Sequence, residues 1–252
     1  MKYFYQGQFE PERLPKLNID RQTVSLVPAE SRVLEIGCAD GFMGEYLIKK
    51  KGCRVIGVEI DTQAAEKARK RGLFVIQGDI EEETIFSILK TKGNFKVILC
   101  SSAVEHLQDP VSALKKWHSL LEKDGILIIT TPNIGHWSAR LKTSFGKFPR
   151  EKYGIFDENH LHFFTIDSFK KMLEECGYFV EYLGIDPIGG GFPKLSRIFS
   201  LIFPNLFAYQ IVVKALPDFQ KSQRKALLRR NLTCAAFFIL SKFLKRILGL
   251  RK

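Results

Sequence analysis

The sequence predicts an α/β protein built on a doubly wound, mostly parallel sheet of seven strands. Short runs rich in Val, Ile and Leu alternate with helix-like segments from residue 33 onward. These runs are apolar almost without interruption, as in strands covered on both faces. Glycines at 52, 72, 93 and 125 stand where each helix should hand over to the next strand. A chain of 252 residues, 45% hydrophobic and 26% charged, has ample material for such a core, which excludes disorder and collagen-like repeats.

In chain order, residues 1–31 read as a helical cap. The strand VLEIG follows, then the helix GFMGEYLIKKKG, the strand RVIGVEI, the helix TQAAEKARKRG and the strand LFVIQGDI. FSILKTKG, FKVILCSS, VSALKKWHSLLEKDG and GILIITTP continue the alternation, with LLEKDG assigned to the helix. Residues 133–164 hold Gly, aromatics and His without a sustained period, and are expected to form a long loop or insertion over the active-site edge. TIDSFKKMLEECGY reads as a helix capped by Thr165 or Asp167 and stopped by Gly177, and FVEYLGI as a strand. Pro204 splits residues 194–214 into a short helix and a last strand over Phe207–Val213. The expected domain is thus 32–214, followed by a tail at 215–252.

Charge divides the chain unevenly. Residues 1–186 hold 26 of the 39 Lys and Arg and 26 of the 27 acids, so the whole net charge of +12 lies in the last quarter. A neutral body with a basic, apolar-rich end points to an anionic surface or partner, and away from nucleic acid as substrate. The five cysteines are scattered, with no CxxC, so neither a disulfide framework nor a zinc site is expected, and the setting reads as a reducing cytoplasm. MKYFYQGQFEPERLPK has no apolar core of a secretory signal, and no run approaches the ~20 apolar residues that span a bilayer.

The loop after the first strand, VLEIGCADG, puts Gly37 and Gly41 where a backbone turns tightly before a helix N-terminus. A dinucleotide fingerprint would need GxGxxG, but Ala39 holds the second glycine position. Glu35 also precedes the turn. An acid there disfavours a pyrophosphate and favours an ammonium group. Glu59 ends the second strand, placed to accept from ribose hydroxyls, and Asp79 ends the third, placed to accept from an adenine amine. Three acids at three successive strand ends describe a ligand with an amine, a ribose and an adenine.

These segments resemble the class I S-adenosylmethionine-dependent methyltransferases from about Arg32 to Val213. The motifs are VLEIGCADG, VIGVEID, GDI, FKVILCSSAVEHLQDP and LLEKDGILIITTPN. The resemblance implies a Rossmann-like methyltransferase fold with S-adenosylmethionine as cofactor. Its binding residues would be Glu35, Gly37, Cys38, Ala39, Gly41, Glu59, Ile60, Asp79, Ile80, Ser101 and Glu105. PNIGHW and GIFDENHLHFFTIDSFKKMLEECGY are similar to a bacterial subgroup acting in methionine biosynthesis and on cell-surface polysaccharides or lipids.

With a methyl group already activated on sulfur, catalysis needs in-line positioning of the acceptor and, for a hydroxyl, removal of a proton. His160 is the first candidate base, with Asp157 and Glu158 near enough in sequence to orient it. His106, placed beside the methionine end of the cofactor by the resemblance, is the second, and His162 the third. His118 and His136 read as structural. The HxH spacing of His160 and His162 is a ligand spacing, but no third ligand is evident and no metal is expected.

In the tail, Ala236, Leu240, Phe243, Leu244, Ile247 and Leu248 share one helical face, and Lys242, Lys245, Arg246 and Lys252 the other. That is the pattern of a helix lying on an anionic membrane, or of one docked on the body or on a second subunit with its basic side in solvent; the expected location is the cytoplasm, with the first option adding the cytoplasmic membrane face. The expected activity is methyl transfer to an oxygen of a glycan, lipid-linked sugar or small metabolite. A non-catalytic scaffold that keeps the fold, associated with membrane or partner, is the rival. A nicotinamide-dependent oxidoreductase is disfavoured by Glu35 and the missing GxGxxG.

Overall fold

The computed structural model describes residues 9–187, 199–200 and 202–218. The tail pattern of residues 236–252 lies outside them. Seven strands form one sheet: β1 (Arg32–Ile36), β2 (Arg54–Glu59), β3 (Phe74–Gln77), β4 (Phe95–Ser101), β5 (Leu121–Pro132), β6 (Tyr178–Asp186) and β7 (Gln210–Pro217). Their order is β3-β2-β1-β4-β5-β7-β6. Every pairing is parallel except those of β7, which runs antiparallel to β5 and β6. The sheet is therefore the mostly parallel, doubly wound one expected.

Alternate residues of each central strand serve opposite faces. Val33, Val97, Leu99, Ile126 and Ile128 pack with Leu47 of α2 (Phe42–Lys51) and with Ala65 and Ala68 of α3 (Thr62–Lys70). Leu34, Ile36, Ile98, Leu127 and Ile129 face the other way. They meet Phe86 of α4 (Glu83–Thr91), Trp117 of α5 (Pro110–His118) and Phe169 of α7 (Ile166–Glu175). Burial on both faces explains the unbroken apolar runs. Each such Leu or Ile contributes about 1.5–3 kcal/mol.

Local signals set the helix ends. The side chains of Asp61, Asp109 and Thr165 accept from the amides of Ala64, Ser112 and Ser168, so Thr165 caps α7. Gly52 ends α2 in the left-handed region. Before the sheet, α1 (Ile19–Leu26) is fastened to β6, because the Asp186 carboxylate accepts from the Ile19 amide at 2.9 Å.

Four expectations are corrected. Residues after His118 leave the helix: Leu121 pairs with Phe95 at the start of β5, and Glu122–Gly125 form an irregularity before Ile126 rejoins Val97. Gly125 thus lies within the strand. Inside 133–164, Trp137–Ser144 form a helix, α6, capped by the His136 ring, which accepts from the Ser138 amide. An imidazole cap and a Ser- and Thr-containing helix leave little sequence signal. Pro204 opens a one-turn helix, α8 (Pro204–Phe207), which a proline at N1 favours. The last strand consequently starts at Gln210, not at Phe207, and runs to Pro217.

Candidate functional site

The carboxyl ends of β1 to β4, adjacent in the sheet, bring the expected cofactor residues to one edge. After Ile36 the backbone enters the left-handed region three times, at Gly37 (φ 66°), Ala39 (φ 51°) and Gly41 (φ 82°). The amides of Gly37 and Cys38 donate to the Val58 carbonyl at 2.9 and 3.1 Å. A Cβ at Gly37 would stand 2.9 Å from that of Ala103, so the turn leaves no room for a side chain. Ala39 does carry a Cβ, at a cost of about 1 kcal/mol. Its amide donates to Glu59 Oε2 at 2.8 Å, while Glu59 Oε1 accepts from the Asp61 amide at 2.9 Å. Glu59 therefore stitches the glycine loop to the end of β2. Each of its oxygens keeps a second lone pair for a ribose hydroxyl.

Beneath this loop lie two buried carboxylates. Glu35 is 4% exposed and its Oε2 has no hydrogen-bond partner; Asp40 is buried too and its Oδ1 has none. The other Asp40 oxygen pairs with Arg71 at 3.2 Å, and Arg71 also holds Glu45 at 2.7 Å. Burial, reinforced by the negative charges of Asp40 and Glu59, pushes the Glu35 carboxyl up to about 8. Orphaned carboxyl oxygens at the mouth of α2 suit a cation, for which Glu35 would give up its proton, and the α-ammonium of S-adenosylmethionine is one. Gly44, passed over in the sequence, lets α2 approach: a Cβ there would lie 2.6 Å from Glu35 Oε2. Asp40 was missed as well, its one signal being a second acid in the same loop.

At the neighbouring strand ends, Ile60 is 65% exposed, an apolar side chain in solvent where a base could cover it, while Ile80 packs on the core. Asp79 is half-buried, its Oδ1 accepting from the Glu81 amide. Ser101 ends β4, its hydroxyl 3.3 Å from that of Thr130. Cys38 is buried, and burial raises its thiol well above the ordinary value.

Just past β4, the tight turn Val104–His106 meets the chain around residue 160. The Glu105 carbonyl accepts from the amides of Leu161 and His162 at 2.9 and 3.1 Å, pinning the two segments together. The rings of His106 and His160 then stand edge to face, 4.8 Å between centres. His160 Nδ1 is 3.2 Å from the Ile155 carbonyl, and His106 Nδ1 is 3.0 Å from that of Asn159. The expectation that Asp157 or Glu158 orients His160 is met only in part: the Asp157 carboxylate accepts from the Asn159 amide and side chain and not from the ring, though its charge acts on His160. The acid beside His160 is Glu105, with its Oε1 4.0 Å from Nε2. Burial, with His106 alongside, lowers His160 below the ordinary histidine value, so the ring is neutral near pH 7. Glu105 is 1% exposed, neither of its oxygens has a partner, and burial pushes it up to about 8.

His162 stands apart from this pair. Its Nε2 lies 3.3 Å from the Gln108 carbonyl and its ring stacks on Phe164. His118 faces the Gly177 carbonyl and His136 caps α6, the structural roles expected of them. A cavity of about 530 Å³ opens at the opposite, amino ends of the strands, among Arg32, Arg54, Phe74 and Lys92, well away from these groups.

Comparison with known proteins agrees with this architecture. A family model described as a methyltransferase domain matches residues 11–183. A ubiquinone biosynthesis O-methyltransferase of Actinobacillus pleuropneumoniae is 32% identical over 111 residues, 40% of this chain and 46% of that protein. The chain spans about half the length of the curated relatives it matches. A methyltransferase structure from Mesorhizobium loti superposes with a TM-score of 0.56 at 13% identity, covering 82% of this chain and 100% of that one. Magnesium protoporphyrin IX methyltransferase from Synechocystis, solved with S-adenosylhomocysteine, gives 0.54 at 14% identity, covering 79% and 81%. The matched domain, the strand order and the anionic pocket behind the glycine loop agree, and the chain belongs to the class I S-adenosylmethionine-dependent methyltransferase family.

Proposed function

We propose that this protein transfers the methyl group of S-adenosylmethionine to an oxygen of a small-molecule acceptor. The observation that carries the reading is the cluster of Glu105, His106 and His160 at the end of β4, on the edge where the glycine loop would hold the cofactor. Methyl transfer from a sulfonium to a hydroxyl balances simply: the oxygen lone pair forms the new O–C bond, the S–C pair stays on sulfur, and the hydroxyl proton must go elsewhere. The His160 imidazole, with the His106 ring and a buried carboxyl alongside, offers it a destination. The partial relatives named as O-methyltransferases support oxygen as the acceptor atom.

Glu35 and Asp40 would take the cofactor's ammonium, Glu59 its ribose, and Asp79 with Ile60 its adenine. The acceptor would lie on the aromatic side of the cluster, where Phe163 edges against His160 and Phe148 against Phe163 and Phe156. Such a wall suits an acceptor with an apolar or ring-shaped body, and a lipid-linked sugar or a quinol-like metabolite both meet that description. The basic apolar pattern of residues 236–252 supports placement at the cytoplasmic face of an anionic membrane. No helix among the described residues is long and apolar enough to cross one. Labelled S-adenosylmethionine offered with a panel of phenolic, catecholic and glycosidic hydroxyl acceptors tests the reading. Label should pass to an ether-linked methyl, and His160→Gln should lower kcat by about 10²-fold or more with cofactor affinity kept. Transfer only to amine or thiol acceptors overturns it, and cofactor binding without transfer favours a scaffold.

A further inference from the structure

We propose that Glu105, His106 and His160 form a binding site for one divalent first-row transition-metal ion. One donor atom from each of the three lies within 4.8 Å of the others. The arrangement has the features of a built site.

The two imidazoles are presented by their surroundings. Each Nδ1 faces a backbone carbonyl, Asn159 for His106 and Ile155 for His160. A carbonyl can only accept, so both Nδ1 atoms carry the proton and both Nε2 atoms carry a lone pair. A backbone carbonyl behind the far nitrogen is the arrangement that orients metal-binding histidines and raises their basicity. His160 Nε2 faces Glu105 Oε1 at 4.0 Å, too far for a hydrogen bond. The carboxyl is almost wholly buried and neither oxygen makes a hydrogen bond of good geometry, the buried Thr131 hydroxyl standing beside it. The Glu105 carboxyl, His160 Nε2 and one nitrogen of His106 thus converge on one point, and no protein group is hydrogen-bonded to the Glu105 oxygens there. A cation satisfies all three at once. The backbone bonds from Leu161 and His162 to the Glu105 carbonyl hold the two ligand-bearing segments in register.

The donor set narrows the ion. Two imidazole nitrogens and one carboxylate suit Zn²⁺, Fe²⁺, Co²⁺ or Mn²⁺, whereas Mg²⁺ and Ca²⁺ favour all-oxygen shells. Zn–N distances near 2.0–2.1 Å place donors of a tetrahedral site about 3.3 Å apart, so the side chains close by roughly 1 Å on binding. Three protein ligands leave a coordination position open, as in catalytic sites.

The role of that open position rests on the O-methylation reading. An acceptor hydroxyl bound there is acidified, its proton passes to water, and the oxygen lone pair displaces the sulfonium sulfur, which keeps the S–C pair. The imidazoles then act as ligands, and the cation replaces them as the means of removing the proton.

The test is calorimetry of the chelator-stripped full chain with ZnCl₂, and with MgCl₂ as control, together with the visible spectrum of the Co²⁺-loaded protein. One Zn²⁺ per chain should bind at micromolar or lower concentration, Mg²⁺ should not compete, and Co²⁺ should show the intense bands of a four- or five-coordinate site. Glu105→Gln, His106→Gln and His160→Gln should each weaken Zn²⁺ at least about tenfold, and His118→Gln should not. Thermal melts identify any variant that fails to fold, and the partly exposed His106 with the wild-type Co²⁺ spectrum keeps the test decisive. No stoichiometric Zn²⁺ binding, or unchanged binding in folded variants, overturns the site. Zinc bound by these residues without transfer to any hydroxyl acceptor would sustain the site and remove the O-methylation reading. Undiminished transfer in stripped protein would sustain that reading and remove the cation's part in it.

Discussion

Replacing Glu35 with Gln should strengthen the empty protein and weaken its grip on the cofactor, and the two effects share one cause. Glu35 sits 4% exposed behind the glycine loop with Oε2 unpartnered, and burial with the charges of Asp40 and Glu59 pushes it from 4.5 to about 8. For an acid raised in the fold, the full stability is present below the unfolded value of 4.5. It is lost progressively as pH climbs toward 8, because the unfolded chain ionises and the folded one resists. At 1.36 kcal/mol per unit, that rise corresponds to about 5 kcal/mol as an upper bound. Gln has no charge to place there, though its amide is still a buried polar group. The variant should therefore melt several degrees above the wild type at pH 8, at about 2–4 °C per kcal/mol for a domain of this size, and alike at pH 4.5. A bound ammonium reverses the balance. Wild-type affinity should rise with pH between about 6 and 8, by up to tenfold per unit, as Glu35 gives up its proton to pair with the cofactor. Glu35→Gln should lose that rise and bind about 10–100-fold more weakly at pH 8, as expected for a charged hydrogen bond. Apo melts at pH 4.5, 6.5 and 8, and calorimetry with S-adenosylhomocysteine in two buffers of different ionisation enthalpy, read both effects. Part of the wild-type fall in melting temperature with pH belongs to Glu105 and should persist in the variant. A variant with the wild-type melting profile, or with undiminished affinity at pH 8, would refute the reasoning.

Other expectations follow from the same loop. Glu59→Ala removes two prospective ribose bonds at about 1 kcal/mol each and orphans the Ala39 and Asp61 amides, so cofactor affinity should fall at least tenfold and the apo protein should melt lower. Calorimetry checks the first, a thermal melt the second. Ala39→Gly relieves a φ of 51° and should stabilise the fold by about 1 kcal/mol in urea titrations, without loss of cofactor affinity. Gly57→Ala places a Cβ 2.6 Å from Cys38 Sγ inside the sheet and should destabilise by about 1–3 kcal/mol, seen as a lower urea midpoint at an unchanged slope.

Much of the sheet was legible because its physics is local. β1, β2 and β4 are buried on both faces, so their composition alone distinguishes them, and Gly52, Gly72 and Gly93 take the left-handed turns their positions suggested. The glycine loop and its three acids were legible for the same reason: each lies within a few residues of a strand end. What escaped depends on contacts between distant segments. Leu121 belongs to β5 because Phe95 pairs with it, although LLEKDG continues a good helical pattern. α6 owes its start to a histidine cap that sequence rules do not favour. At the cluster, the HLH spacing suggested His160 with His162, whereas the fold pairs His160 with His106, 54 positions earlier, through the Glu105 carbonyl. Glu105 itself was read as a cofactor residue. Only the fold reveals how deeply its side chain is buried, and a lone Glu-His pair a few residues past a strand was the one available hint.

The central claim is that the edge formed by Glu35, Gly37, Glu59 and Asp79 is an S-adenosylmethionine site. Isothermal calorimetry of the purified full chain with S-adenosylmethionine, S-adenosylhomocysteine and NAD tests it most directly. The account predicts one site per chain for the first two, at micromolar affinity, and no heat from NAD. Absence of binding by both sulfur ligands, or binding of NAD in their place, would contradict it.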